Sequence, residues 1–189
     1  MSLSLVWQIL YWVWLASEIA ILFGTRTRSG DGDVRDRGSL RLLWVVIFVS
    51  ITVGVWLGET HPHTIFGGAR WVRPVSVALL ALGLAIRWTA VFTLGRSFSA
   101  NVAIHATQKV HKEGLFRLVR HPSYSGLLII FVAVALHTRN WVGFAVIVVP
   151  TAMALMYRIQ VEEAALREAF GEEYEAYCRS TKRLVPGVF

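Results

Sequence analysis

Apolar runs of membrane-spanning length limit the fold of this chain more than any other feature. Polar loops separate five such runs, at about residues 3–23, 40–58, 74–94, 124–137 and 141–157. About 20 apolar residues cross a bilayer as a helix, and a helix satisfies its own backbone hydrogen bonds in lipid. The sequence therefore predicts an all-α integral membrane fold with five transmembrane helices, of which the last two form a C-terminal helical hairpin.

The composition agrees with a membrane protein. Of the 189 residues, 55% are hydrophobic, 16% are charged and eight are tryptophan, whereas soluble domains average about 25% charged residues. Five spans and their loops use up this length, so a single membrane domain over residues 1–189 is expected. The one cysteine, Cys178, excludes a disulfide within the chain.

Lysine and arginine are distributed unevenly between the loops. Fifteen lie around the loop after the first run, in segment 95–123 and in the tail 158–189, and three lie in the other two loops. Because cytoplasmic loops carry the excess of positive charge, we expect a multi-pass protein with its N-terminus outside and its C-terminus in the cytoplasm. The net charge of +7 is therefore interpreted as a topology signal, and no nucleic-acid partner is predicted.

Two charged residues lie inside predicted spans, Glu18 in the first and Arg87 in the third. Unpaired charges in hydrocarbon are costly, and both residues fall toward the cytoplasmic half. We therefore expect them to pair. His61 and His63 lack a third ligand, and the GDGD stretch at 30–33 is interpreted as a connector, so no metal site is predicted.

The segment Gly114–Gly126, GLFRLVRHPSYSG, carries the densest set of chemically active side chains. Pro122 removes a backbone donor and biases His121 away from helical geometry. The imidazole is therefore expected on a turn at the start of the fourth helix, close to Tyr124. This pattern favours a ligand site, and the alternative is an ordinary basic turn beside the membrane.

The tail Arg158–Tyr177 is predicted to form a cytoplasmic amphipathic helix. Glu163 and Arg167, four residues apart, are interpreted as a solvated ion pair. Arg158 and Glu162 have the same spacing but lie at the membrane boundary. An arginine there can hold a carboxylate through two hydrogen bonds, and a glutamate can hold ribose hydroxyls or a cationic centre.

Three motifs in this half of the chain carry a resemblance to a known family. RHPSYSG, the tail pattern RIxxEExxLxxxFGxxYxxY and the closing TKRLVPG resemble the isoprenylcysteine carboxyl methyltransferases, integral-membrane enzymes related to the phospholipid methyltransferases. The resemblance covers about residues 83–189. It implies S-adenosyl-L-methionine as the methyl donor, bound at the cytoplasmic face without a dinucleotide-binding fold, and the chain indeed has no GxGxxG motif.

The resemblance also implies roles for individual residues. Arg158 would orient the acceptor carboxylate, and Glu162 would contact the cofactor next to the reacting groups, so these two are the predicted catalytic residues. Family members often carry His-x-Leu-Val and a tyrosine where this chain has residues 108–111 and Phe116. The implied cofactor-binding residues are Asn101, Gln108, Lys109, Val110, His111, Phe116, His121, Pro122, Ser123, Tyr124 and Glu162.

The expected reaction is methyl transfer to a lipophilic acceptor at the membrane, with the carboxylate of an isoprenylcysteine-like or prenylated substrate as the first choice. A phospholipid amine or a small thiol is the alternative, and Glu162, Glu163 or His121 could then serve as the base.

Two other classes of membrane protein are alternatives. In the related NADPH-dependent membrane reductases, an acidic residue commonly follows the glycine after the tyrosine, but Gly126 here is followed by Leu-Leu-Ile. The second alternative is a non-enzymatic membrane protein with a decayed site. Arg158 and Glu162 are both present, which disfavours this alternative.

Overall fold

A computed structural model describes residues 2–25, 33–34, 36, 38–60, 70–95, 98–99, 103–104 and 110–188. The helices are α1 (Leu3–Gly24), α2 (Ser39–Thr60), α3 (Val72–Leu94), α4 (Pro122–His137) and α5 (Trp141–Ser180), with a 3-10 helix at Gly114–Arg117. The two-residue strands β1 (Asp33–Val34) and β2 (Ala103–Ile104) pair antiparallel and connect the loops after α1 and α3. The predicted all-α class is confirmed. His61 and His63 lie outside the described residues.

Four of the described helices, α1, α2, α3 and α5, are long and apolar enough to cross a bilayer. Helix α4 has 16 residues and rises by about 24 Å, which is less than the hydrocarbon thickness of about 30 Å. Its partner α5 begins after a short turn, and Asn140 caps it by accepting a hydrogen bond from the Gly143 amide at 2.8 Å. The expected hairpin is therefore present, with one arm shorter than a full span.

The last span and the tail helix are not separate elements. The sequence predicts a span ending near Tyr157 and a distinct tail helix, but in α5 the helical backbone continues from the span into the tail, over residues 141–170. Its backbone leaves helical geometry at Gly171, where φ is 50°, a value that favours glycine. The change from apolar to charged residues near Arg158 therefore marks a change of environment and not the end of a helix.

Two pairs of glycines bring the helix backbones into contact. A Cβ atom built on Gly126 of α4 would lie 2.7 Å from the carbonyl oxygen of Gly83 on α3. A Cβ atom on Gly143 of α5 would lie 2.7 Å from the carbonyl oxygen of Gly54 on α2. Small residues allow this close packing where lipid offers no hydrophobic drive for helix association. The two pairs fix α3 on α4 and α2 on α5.

Helix α1 is joined to α3 by the two charges within their apolar segments. Arg87 donates from Nε to Glu18 Oε1 at 2.9 Å and from Nη2 to Glu18 Oε2 at 2.8 Å. Both residues are buried. The predicted pairing is confirmed, and its bidentate geometry compensates the cost of burying both charges.

Candidate active site

The turn before α4 is held by the C-terminal segment of the chain. The Arg120 amide donates to the Lys182 carbonyl at 2.7 Å, and the His121 amide donates to the Arg183 carbonyl at 3.0 Å. His121 occupies the position before the first helical residue, Pro122, with φ −124° and ψ 59°. The non-helical geometry expected for His121 is therefore present, and the last residues of the chain help to fix it.

A buried carboxylate lies behind this turn. Glu163 on α5 is 0% exposed and accepts hydrogen bonds from Arg120 Nε at 3.0 Å and from Arg183 Nη2 at 2.9 Å. His121 Nε2 lies 3.3 Å from its Oε1. Glu163 thus links α5, the turn before α4 and the C-terminal segment.

The same carboxylate sets the charge of the C-terminal arginine. The hydrogen bond to Glu163 raises the pKa of Arg183 above its ordinary value. Arg183 therefore keeps its positive charge at every physiological pH and contributes a permanent contact to the cluster.

The prediction of a solvated Glu163–Arg167 pair was wrong about the environment. Arg167 Nη2 does contact Glu163 Oε2 at 3.2 Å, but Glu163 is fully buried. The sequence held one signal: Glu163 follows Ile159 by four residues, so both lie on one face of the helix, and Ile159 is also 0% exposed.

A second chain of polar contacts joins α4 to α5, at the place where the residues of α5 change from apolar to charged. The Tyr124 hydroxyl donates to Glu162 Oε2 at 2.7 Å, and Arg158 Nε donates to the Tyr124 oxygen at 3.4 Å. Arg158 is 1% exposed. Adjacent turns of α5 thus present Arg158 and Glu162 to the same tyrosine of α4.

Arg158 also meets two residues that the sequence did not suggest. Its Nη1 donates to Ser39 Oγ at 2.6 Å and contacts Asp36 Oδ1. Asp36 accepts from the Leu40 amide at 3.3 Å and so caps the start of α2. Asp36 just before an apolar run is a typical cap signal, but nothing local points to an arginine 122 residues away.

The predicted cofactor residues surround one polar cavity. Those that are described, and that line it together, are Val110, His111, Phe116, His121, Pro122, Ser123, Tyr124 and Glu162. Asn101, Gln108 and Lys109 lie outside the described residues.

The cavity contains unsatisfied polar atoms. His111 Nε2 and the Tyr174 hydroxyl are buried and have no hydrogen-bond partner among the described residues, and both residues line the cavity. Buried polar groups normally have partners, so these two atoms are suited to contact a ligand. The Glu162 carboxylate and the rings of Phe98 and Phe116 also line this cavity, which has a volume of about 90 Å³.

A second cavity of about 520 Å³ lies between α1 and α2. Its lining is mostly apolar and also includes Tyr124, Arg158 and the paired Glu18 and Arg87. This volume lies within the range of small-molecule sites. Trp12, at 67% exposed, and Phe48, at 72%, lie toward the outside of the bundle, where a membrane protein contacts lipid tails.

The two cavities have a common wall. Phe98, Ser99 and Tyr124 line both of them. Of these three residues, Tyr124 contacts both Glu162 of the polar cavity and Arg158 of the apolar cavity.

Comparison with known proteins gives a consistent picture. The sequence model described as phospholipid methyltransferase matches residues 71–173. Protein-S-isoprenylcysteine O-methyltransferase B of Arabidopsis thaliana is 32% identical over 120 residues, which is 62% of this chain and 61% of that protein. Methanethiol S-methyltransferase of Pseudomonas sp. (strain GM41(2012)) is 30% identical over 153 residues, which is 76% of this chain and 54% of that protein.

A solved structure shares the fold. The eukaryotic intramembrane Ras methyltransferase ICMT (isoprenylcysteine carboxyl methyltransferase) superposes with a TM-score of 0.65 at 22% identity, covering 77% of this chain and 52% of that one. The chain spans 61% of the length of the Arabidopsis relative. Because the family match covers more than half of its residues, this chain belongs to the phospholipid methyltransferase family, and the predicted relationship to the isoprenylcysteine carboxyl methyltransferases is confirmed.

Proposed function

We propose that this protein transfers a methyl group from S-adenosyl-L-methionine to a lipophilic acceptor, with the carboxylate of an isoprenylcysteine-like molecule as the preferred group. One observation carries the proposal. A polar cavity and an apolar cavity share Tyr124 in their linings, and Tyr124 contacts both an arginine that can hold a carboxylate and a glutamate that can hold a cationic cofactor. This is the arrangement that a transfer between a polar donor and an apolar acceptor requires.

The cofactor, when bound, supplies a methyl group already activated as a sulfonium substituent. The protein then mainly has to align the reacting groups and exclude water. Arg158 orients the acceptor carboxylate, Glu162 attracts the positive charge, and Tyr124 fixes Glu162 through its 2.7 Å hydrogen bond. The surrounding apolar walls keep the site dry.

A thiol acceptor is the second candidate. The Pseudomonas relative is named as a methanethiol S-methyltransferase and matches 76% of this chain. A thiol needs deprotonation before transfer, and Glu162 is the carboxylate beside the common wall of the cavities. A phospholipid amine would place the same demand on this residue.

The setting in the membrane is part of the proposal. The chain acts as one domain, with its N-terminus outside and its C-terminus in the cytoplasm, because the basic loops favour that orientation. The cofactor then enters from the cytoplasm, and the apolar part of the substrate, a lipid or a prenylated peptide, enters from the bilayer between α1 and α2.

The first test is ligand binding to the detergent-purified protein by calorimetry. We expect S-adenosylhomocysteine to bind selectively and NADPH not to bind. Tyr124→Phe removes the hydrogen bond to Glu162 and should weaken binding by about tenfold. Tyr157→Phe is the matched control, because Tyr157 lies on the outer surface of α5 and is 42% exposed.

The second test identifies the acceptor. The purified protein is given labelled S-adenosylmethionine with a farnesylated cysteine analogue or with an alkyl thiol. Base-labile methyl ester formation on the analogue supports carboxylate methylation, and a methyl thioether from the thiol supports the second candidate. Selective NADPH binding without methyl transfer would replace the proposal with a reductase.

A further inference from the structure

The guanidinium assigned to the acceptor carboxylate already holds a carboxylate of the chain. Arg158 Nη1 contacts Asp36 Oδ1 and donates to Ser39 Oγ at 2.6 Å. The Arg158 side chain is 2% exposed and the Asp36 side chain 17%. The contact is therefore a largely buried ion pair at the end of the apolar cavity.

The carboxylates around Arg158 disfavour the binding of another anion. Glu162 is linked to Arg158 through the Tyr124 hydroxyl, with contacts of 2.7 Å and 3.4 Å. Arg158 thus lies between two carboxylates, those of Asp36 and Glu162. An acceptor carboxylate would add a third negative charge beside one positive charge, and like charges repel strongly where water is scarce.

We propose that Asp36 occupies the acceptor-carboxylate position on Arg158 and must leave it before a carboxylate acceptor can bind, so that Asp36 lowers the affinity of the site for a carboxylate acceptor. This inference rests on the proposed function, because it takes Arg158 as the group that orients the acceptor. A neutral acceptor, such as a thiol or an ester, does not compete with Asp36 and can bind while the ion pair stays closed.

The position of Asp36 allows such an exchange. Asp36 precedes the first turn of α2 and is partly exposed, so water can solvate its carboxylate after it leaves Arg158. Its second role is to cap α2 through the Leu40 amide. A substitution that keeps the cap and removes the charge therefore separates the two roles.

Asp36→Asn is that substitution, because asparagine is an equally good helix cap and its amide oxygen can still accept from Arg158. Calorimetry compares two ligands with the same farnesyl chain, the S-farnesyl cysteine analogue with a free carboxylate and its methyl ester. We expect the Kd of the carboxylate to fall by about tenfold, because a hydrogen bond to a neutral amide is weaker by about 1 kcal/mol than one to a carboxylate and is easier to break. The Kd of the ester should stay the same.

Two further variants serve as a replacement for Asp36→Asn and as a control. Asp36→Ser also removes the charge and should act in the same direction if Asp36→Asn fails to fold. Glu59→Gln makes the same carboxyl-to-amide change on an exposed residue at the other end of α2, and should change neither affinity.

The outcomes separate this inference from the proposed function. Equal changes for both ligands, no change, or failure of both ligands to bind the wild type would overturn the role of Asp36, even if S-adenosylhomocysteine still binds. If the carboxylate binds more tightly to Asp36→Asn but S-adenosylhomocysteine never binds, the role of Asp36 stands and the methyltransferase assignment fails.

Discussion

Arg158 links the parts of the chain that form the candidate site. It lines the apolar cavity. It also donates to Tyr124, which lines both cavities, and to Ser39 at the start of α2. A guanidinium is suited to this place because it stays charged when buried and offers several fixed donors.

Replacing Arg158 should separate acceptor chemistry from cofactor binding. Arg158→Lys keeps the charge but loses the planar fork, so we expect kcat/KM for a carboxylate acceptor to fall by about a hundredfold or more. Affinity for S-adenosylhomocysteine should change much less than kcat/KM, because Arg158 does not line the polar cavity. Arg179→Lys, on an exposed residue of the tail, is the control, and unchanged turnover in Arg158→Lys would remove Arg158 from the site.

Glu163 is a second residue of central importance, with a structural role. Glu163→Gln removes the buried carboxylate that pairs with Arg120 and Arg183, so we expect a loss of about 3 kcal/mol in the free energy of unfolding. Denaturant titration in detergent measures it. Glu175→Gln changes a carboxylate that is 48% exposed and paired with Arg167, and should cost less than about 1 kcal/mol. Equal effects of the two substitutions would contradict this role.

At the scale of elements, helix bounds followed the apolar runs closely. The predicted run 74–94 became Val72–Leu94, and the run 40–58 became Ser39–Thr60. The end of α5 did not follow its apolar run, because helical hydrogen bonds continue from lipid into water without a change in geometry. The change from apolar to charged residues near Arg158 indicates where α5 leaves the bilayer. The helical geometry itself breaks later, at Gly171.

The contact between α3 and α4 depends on the absence of a side chain at Gly126. Gly126→Ala would place a methyl group 2.7 Å from the Gly83 carbonyl oxygen, so the helices must separate. We expect a loss of about 1–3 kcal/mol and a lower thermal midpoint in detergent. In Gly24→Ala the added methyl group meets nothing within 4 Å, and stability should be kept or slightly raised.

At the scale of the whole molecule, orientation in the bilayer is the property to test. Single cysteines at Ser2 and at Glu172, both exposed, are introduced separately into a Cys178→Ser background. In sealed right-side-out vesicles, a membrane-impermeant maleimide should label Ser2→Cys and not Glu172→Cys. After detergent treatment both should be labelled, and the opposite pattern in sealed vesicles would reverse the proposed topology.

The sequence by itself determined the membrane class, the helix order and the pairing of Glu18 with Arg87. These follow from run length and from the cost of an unpaired charge in lipid, which act on each segment wherever its neighbours lie. The resemblance of the motifs also identified eight of the described residues that line the polar cavity, since the turn and the tail each carry a local pattern.

Only the tertiary structure decided which partners the charged residues take. The spacing of Glu163 and Arg167 predicted a solvated pair, whereas Glu163 is buried with Arg120 and Arg183, which approach from two other segments. Asp36 meets Arg158 across 122 residues, a contact that no local pattern encodes. Charge pairing in a buried site depends on where separate helices bring their ends together, and that placement is a property of the packed bundle.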